Sequence, residues 1–196
     1  MSSSVHDVVV LIRSPYNPGM RKALHIALAP VIAFAILAAT PAILIAETGL
    51  PLPRFASLRA NKVHLRTGPG IRYPVDWIFV HQGLPMEIVA EFENWRKVRD
   101  WQGTEGWVHR SMLSGRRTAV ITGGTQPMRR DPDPNASMTA RVKERVVGRV
   151  LECEGSWCRI EIGKNRGWMR RTHVWGVYQD EKLNCPHARL HEIYGN

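Results

Sequence analysis

Three patterns of apolar residues divide the chain. From Ala23 to Ala46 runs a stretch of 24 residues without a formal charge, ALHIALAPVIAFAILAATPAILIA, long enough to span a bilayer. From about residue 55 onward the apolar residues come in short runs of Val, Ile and Trp instead. Each run is bounded by Gly, Asn or Asp, the signature of short β-strands joined by tight turns. The stretch 179–196 has no clear period and receives no assignment.

The strand-rich part repeats itself. NWRKVRDWQGTEGWVHRSML, residues 94–113, is echoed by SWCRIEIGKNRGWMRRTHV, residues 156–174. Trp95 maps onto Trp157 at an offset of 62, and Gly106-Trp107 onto Gly167-Trp168 at an offset of 61. A period of this kind takes precedence over other readings and predicts an all-β protein of two tandem small barrels. Residues 55–121 form the first and 122–178 the second, after a Pro-rich extended linker at 47–54.

In the first unit the pattern predicts strands at 62–65, 77–80 and 86–92, a two-residue turn at Glu93-Asn94, and a return strand at 95–99. Trp107-Val108 and a closing strand at 119–121 complete it. Arg66-Thr67-Gly68-Pro69-Gly70 reads as an open loop whose glycines permit positive φ. In the second unit, strands at 140–143, 146–154 and 157–162 precede Gly167-Trp168-Met169, and 175–178 closes the unit. Gly155-Ser156 has Gly in the first central position of a type II′ hairpin turn. With that turn Cys153 faces Cys158, in the closer kind of cross-strand pair with Cα atoms about 4.5 Å apart. The same register places Glu91 opposite Arg96. A covalent link in one copy then stands where the other has an ion pair; the alternative is two buried thiols.

The strings VHLRTGPGIRYP, NWRKV and GWVHRSML, in this order and spacing, resemble the bacterial SH3-like domain (SH3b) family. Its pattern is a V-x-(L/V)-R-x-G-P-(G/S) loop, a W-x-K-V strand and a G-W-V strand. The resemblance implies SH3-like barrels in an exported bacterial protein that binds peptidoglycan or another cell-envelope ligand without catalysis. A periplasmic protein–protein adaptor is the alternative, and a cell-wall hydrolase the rival from the enzyme class. The second unit departs from the pattern, because Pro127-Met128-Arg129-Arg130-Asp131-Pro132 replaces the Gly-Pro-Gly loop.

The N-terminal run bears on where this happens. Arg21 and Lys22 precede it, which predicts a cytoplasmic N-terminus and export of everything after Ala46. Counted from Met20, the segment has the basic start, apolar core and small final residue of a signal peptide. Leu44, two positions before Ala46, is larger than that cut site prefers. Residues 1–46 are therefore expected to be a signal peptide or, uncut, a signal anchor; Pro30 and Pro41 argue against a buried core helix. Three basic residues and one acidic lie in 1–46, so the net charge falls from +10 for the whole chain to +8 beyond it. Such a charge favours an anionic partner. Export argues against nucleic acid and for a cell-wall glycan, its peptide or a periplasmic protein, with membrane contact only through an uncut N-terminal segment.

The candidate ligand-binding residues are Arg66, Gly68 and Gly70 of the loop, Tyr73 beyond it, and Trp77 and Trp101. The grounds are that glycines admit a ligand to the backbone and that aromatic faces stack on sugar or peptide. Trp95, Trp107, Trp157 and Trp168, at equivalent repeat positions, are expected in the cores. Cys153 and Cys158 form the expected disulfide, as an exported chain permits. Cys185-Pro186-His187 with His191 matches no zinc-knuckle spacing and lies in a tail ill-suited to a nucleophile pair. No metal, cofactor or catalytic residue is assigned.

Overall fold

The computed structural model describes residues 11–13 and 48–184, so the uncharged run at 23–46 lies outside the described residues. No helix among the described residues is long and apolar enough to cross a membrane. The described residues are all-β, with sixteen strands in two antiparallel sheets.

The first repeat contributes β2 (Arg54–Leu58), β3 (Val63–Arg66), β4 (Val75–Phe79), β5 (Pro85–Phe92), β6 (Trp95–Arg99), β7 (Glu105–His109) and β8 (Leu113–Ser114). The second contributes β9 (Thr118–Ile121), β10 (Gln126–Arg129), β11 (Met138–Val142), β12 (Val147–Glu154), β13 (Trp157–Ile162), β14 (Asn165–Arg170) and β15 (Val174–Trp175). The order β4-β3-β7-β6-β5-β2-β8 is reproduced strand for strand as β11-β10-β14-β13-β12-β9-β15. Each unit also has a 3-10 turn in the same place, Arg110–Met112 and Arg171–His173.

One buried cluster draws on every strand from β2 to β8, including Leu58, Leu65, Phe79, Met86, Val98, Val108 and Leu113. A second cluster does the same for β9 to β15, with Ile121, Met128, Val142, Val150, Ile160, Met169 and Val174. Each sheet therefore curls around its own core. Among the described pairings, none joins the two ends of either ladder, so the expected closed barrels are observed as open sheets. The end strands β8 and β15 are two residues long, too short to extend the ladder.

Several assignments change. The strand at 119–121, expected to close the first unit, pairs with β12 and β15 in the second sheet. It is the counterpart of β2, which pairs with β5 and β8, so each unit opens with its own strand. β10 was hidden by Pro127, a residue that demotes a strand reading. In it Met128 is a fully buried core residue in the place of Leu65, and Arg129 stands in the place of Arg66. The loop that differs between the repeats thus begins only at Arg130. The described part of the lead-in, 48–54, is docked: Leu52 packs on the first core and Thr48 donates to Glu91. The tail, unassigned from sequence, returns as β16 (Leu183–Asn184) alongside β12. At the far edge of the first sheet β1 (Leu11–Arg13) pairs with β4.

The two units meet through a polar and aromatic joint. Phe55 packs edge-on against Trp175, with ring centroids 4.9 Å apart, and at a tilt against Tyr178, at 4.7 Å. The Tyr178 hydroxyl donates to Glu87 at 2.9 Å, and the Thr118 hydroxyl donates to the Gly83 carbonyl at 2.6 Å. Burial, then the Glu87 carboxylate, pushes the Tyr178 phenol far above its ordinary range, so it remains a donor at any physiological pH.

Candidate functional site: a cleft in the first repeat

The loop after β3 is held from beneath by Arg66. Its Nη1 donates to the carbonyls of Tyr73 at 2.7 Å and Ile71 at 3.1 Å. The second repeat keeps this strut although the loop sequence is unrelated: Arg129 Nη1 donates to the Ala136 carbonyl, again seven residues on, at 2.7 Å. A charged donor bonding inward to the main chain is worth more than a neutral one. Arg66 is therefore spent on the shape of the loop.

Gly68 is buried under the Tyr73 ring, where an added Cβ would lie 2.4 Å from a ring carbon. Neither Gly68 nor Gly70 has a positive φ. What Gly68 supplies is space for the tyrosine, and the conformational reason expected for it does not apply. Arg72 in turn lies 5.2 Å from the centre of the Tyr73 ring.

Outside this scaffold lies a cleft of about 490 Å³ between the loop and the β5–β6 turn. Gly70, Ile71 and Arg72 line one side, and Phe92, Glu93 and Trp95 the other, with His109 also on its lining. Ile71 is 83% exposed and Phe92 46%. Trp95 meets His109 edge-on, at 5.4 Å between ring centres. His109 Nδ1 accepts from the Ser111 backbone N–H at 3.3 Å. The second repeat replaces this pair with a stacked cation, Arg170 lying 4.2 Å over Trp157.

Of the six ligand-binding residues expected from sequence, Gly70 lines the cleft, while Arg66, Gly68 and Tyr73 are off its lining and shape the loop behind it. Trp77 and Trp101 are elsewhere, both packed against the first core. The Trp101 ring also lies under Arg145 of the second repeat, at 5.6 Å. The residues that sequence reasoning missed are Ile71, Arg72, Phe92, Trp95 and His109. An unpaired apolar residue between Gly70 and Arg72 was the available signal for Ile71.

The repeat tryptophans also differ from expectation. Only Trp157 is buried, while Trp95, Trp107 and Trp168 are half-buried. In β7 the inward positions are Gly106 and Val108. A Cβ on Gly106 would sit 2.5 Å from Leu65 Cγ and 2.9 Å from the Arg66 carbonyl oxygen. Gly167 meets Met128 and Arg129 in the same way, at 2.5 and 2.6 Å. The glycine of each Gly-Trp pair lets two strands close on the core, and strand alternation turns the tryptophan outward.

Cys153 and Cys158 form the expected disulfide, their Cα atoms 4.1 Å apart, so neither is free to act as a nucleophile. Cys185, His187 and His191 lie outside the described residues. Among the described residues no group of three His, Cys, Asp or Glu side chains could hold a metal ion.

A known family agrees with the division into two repeats. The bacterial SH3 domain family matches twice, at residues 59–115 and 122–176, which together span more than half of the chain. No curated protein matches. Among solved structures, the chain is similar to NlpC2 of Trichomonas vaginalis, with 12% identity, 66% of this chain and 50% of that one covered, and a TM-score of 0.30. For NlpC1 of the same organism the values are 13%, 69%, 50% and 0.30. For an NlpC/P60 family protein of Bacillus cereus they are 14%, 62%, 55% and 0.28. The match spans about half the length of each of these proteins. The chain belongs to the bacterial SH3 domain family and carries two such domains in tandem.

Proposed function

We propose that this chain is a non-enzymatic binding protein of the cell envelope. In this reading the first repeat takes a peptidoglycan fragment into the cleft between the loop at 69–72 and the turn at 92–95. The observation that carries the proposal is the pair Ile71 and Phe92, two large apolar side chains left in water on the lining of one cleft. Apolar walls with a few polar groups are the usual make-up of a ligand site, and here Arg72, Glu93 and His109 supply the polar groups. The charge of +8 beyond residue 46 attracts an anionic wall polymer over a Debye length, about 8 Å at physiological salt. Charge attracts without selecting, so selection falls to the cleft.

Export by the uncharged run at 23–46 belongs to the same proposal. Sedimentation of the full chain with purified sacculi tests it. Binding that persists at moderate salt and weakens on Ile71→Ser supports the cleft. Binding abolished by moderate salt and indifferent to Ile71→Ser reduces the claim to bulk charge. No sedimentation at any salt leaves a periplasmic adaptor as the better reading.

A further inference from the structure

The second repeat carries a different cavity, of about 780 Å³, between the Gly155-Ser156 turn, the 3-10 turn after β14 and the returning tail. The first repeat has no counterpart to that tail, because beyond β8 the chain runs through residues 115–117 directly into β9. Arg171 builds the cavity floor. It is buried, its Nε donates to the Gly155 carbonyl at 3.0 Å, and its Nη1 donates to the carbonyls of Tyr178 and Glu181. Its role is to pin turn and tail together.

Two other cations stand on the lining. Arg170 lies 4.2 Å over the Trp157 ring and forms no ion pair among the described residues, nor does Lys182. Stacking engages the face of a guanidinium and leaves its in-plane N–H donors for a planar, bidentate acceptor. The carboxylates nearby offset this only in part. Glu181 is bound to Arg117, which leaves Asp180. Burial, then the Arg170 charge, disfavours the charged form of His173 and holds its imidazole below its ordinary range. The remaining lining offers the hydroxyls of Ser156 and Thr172 and the side-chain amide of Gln179, groups suited to reading peptide bonds.

We infer that this cavity binds the free carboxylate end of a short peptide, with Arg170 and Lys182 holding the carboxylate. A volume of this size is within the range of small-ligand sites, roughly 300–1,000 Å³. The inference does not rest on the cleft of the first repeat, and its test uses none of that cleft's residues.

The experiment is calorimetric titration of the full chain with N-acetyl-alanyl-alanine, its C-terminal amide and inorganic phosphate. The acid is expected to bind, with the amide and phosphate each weaker by about tenfold or more. Arg170→Gln should weaken the acid by a similar factor. Because that change also uncovers Trp157, Lys182→Gln, on an exposed side chain, provides a second reading with the melting temperature as control. Phosphate binding as tightly as the acid would show a site for anions in general and overturn the peptide assignment. So would an amide that binds equally well, affinity unaffected by both variants, or no heat from the acid up to about 10 mM, where even a weak site would register.

Discussion

Glu91 faces Arg96 across the β5–β6 hairpin, Oε1 to Nε at 3.0 Å, in the place that the Cys153–Cys158 disulfide holds between β12 and β13. The two hairpins share one register and one turn. Gly155, with φ +51°, corresponds to Glu93, with φ +47°. Where the ion pair stands, Glu91 is further tied to Arg54 and Thr48, so several polar contacts serve where the second repeat uses one covalent bond.

The disulfide is the first testable consequence. Non-reducing peptide mapping should join Cys153 to Cys158. Replacing both by Ala should cost less than the ~3 kcal/mol of a 15-residue loop, because the loop it closes is far shorter. Cys185 bonded within the monomer to either of them would contradict the pairing.

Glu91 also predicts a pH dependence. Burial acts to raise its carboxyl, but the hydrogen bonds from Arg54 and Thr48 and the Arg54 charge outweigh it and hold the carboxyl below the ordinary 4.5. The folded state therefore binds this proton less readily than the unfolded state. The stabilisation is fully present above about pH 4.5 and is lost as pH falls through the lower folded value. Melting temperatures across this acid range should fall more steeply for the wild type than for Glu91→Gln. Parallel curves would count against the linkage.

The strand parity of β7 makes a mutational order. Gly106→Ala should cost about 1–3 kcal/mol, the range for forcing an extra carbon into a packed core. Trp107→Ala should cost well below the ~3–5 kcal/mol of a core Trp, since the ring is outside. Urea unfolding of both variants checks this. A Trp107→Ala loss in the core range, with Gly106→Ala neutral, would reverse the assignment of inner and outer faces.

Much of this architecture is legible in the sequence because a repeat and a hairpin register are local. Gly155-Ser156 fixes Cys153 against Cys158, and the offset of 62 carries that register to Glu91 and Arg96. The ownership of β9 is not local, since it depends on which of two cores the strand completes. The outward turn of Trp107 is legible only once Gly106 is seen to need the inner position against Leu65. The cleft is less legible still. Ile71 and Phe92 are 21 residues apart and meet only because Arg66 shapes the loop that faces the β5–β6 turn. Arg66 reads from sequence as a ligand contact because a side chain that bonds its own main chain leaves no pattern there.

Export is tested by fusing alkaline phosphatase after Tyr178; the proposal expects an active reporter. The pairing of β1 with β4 cannot coexist in one molecule with a membrane span at 23–46, which would leave the two strands on opposite sides. An intact fusion that is inactive in the cytoplasm would contradict export and agree with β1 seated on β4.

The most direct test of the central claim is the affinity of the chain for a soluble disaccharide-peptide fragment of peptidoglycan, measured by calorimetry for the wild type and for the Ile71→Ser/Phe92→Ser double variant. Both side chains are exposed, so the melting temperature should stay near the wild-type value. The account predicts that the wild type binds and that the double variant loses at least about tenfold, or 1.4 kcal/mol. Undiminished binding by the double variant, or no binding by the wild type, would contradict it.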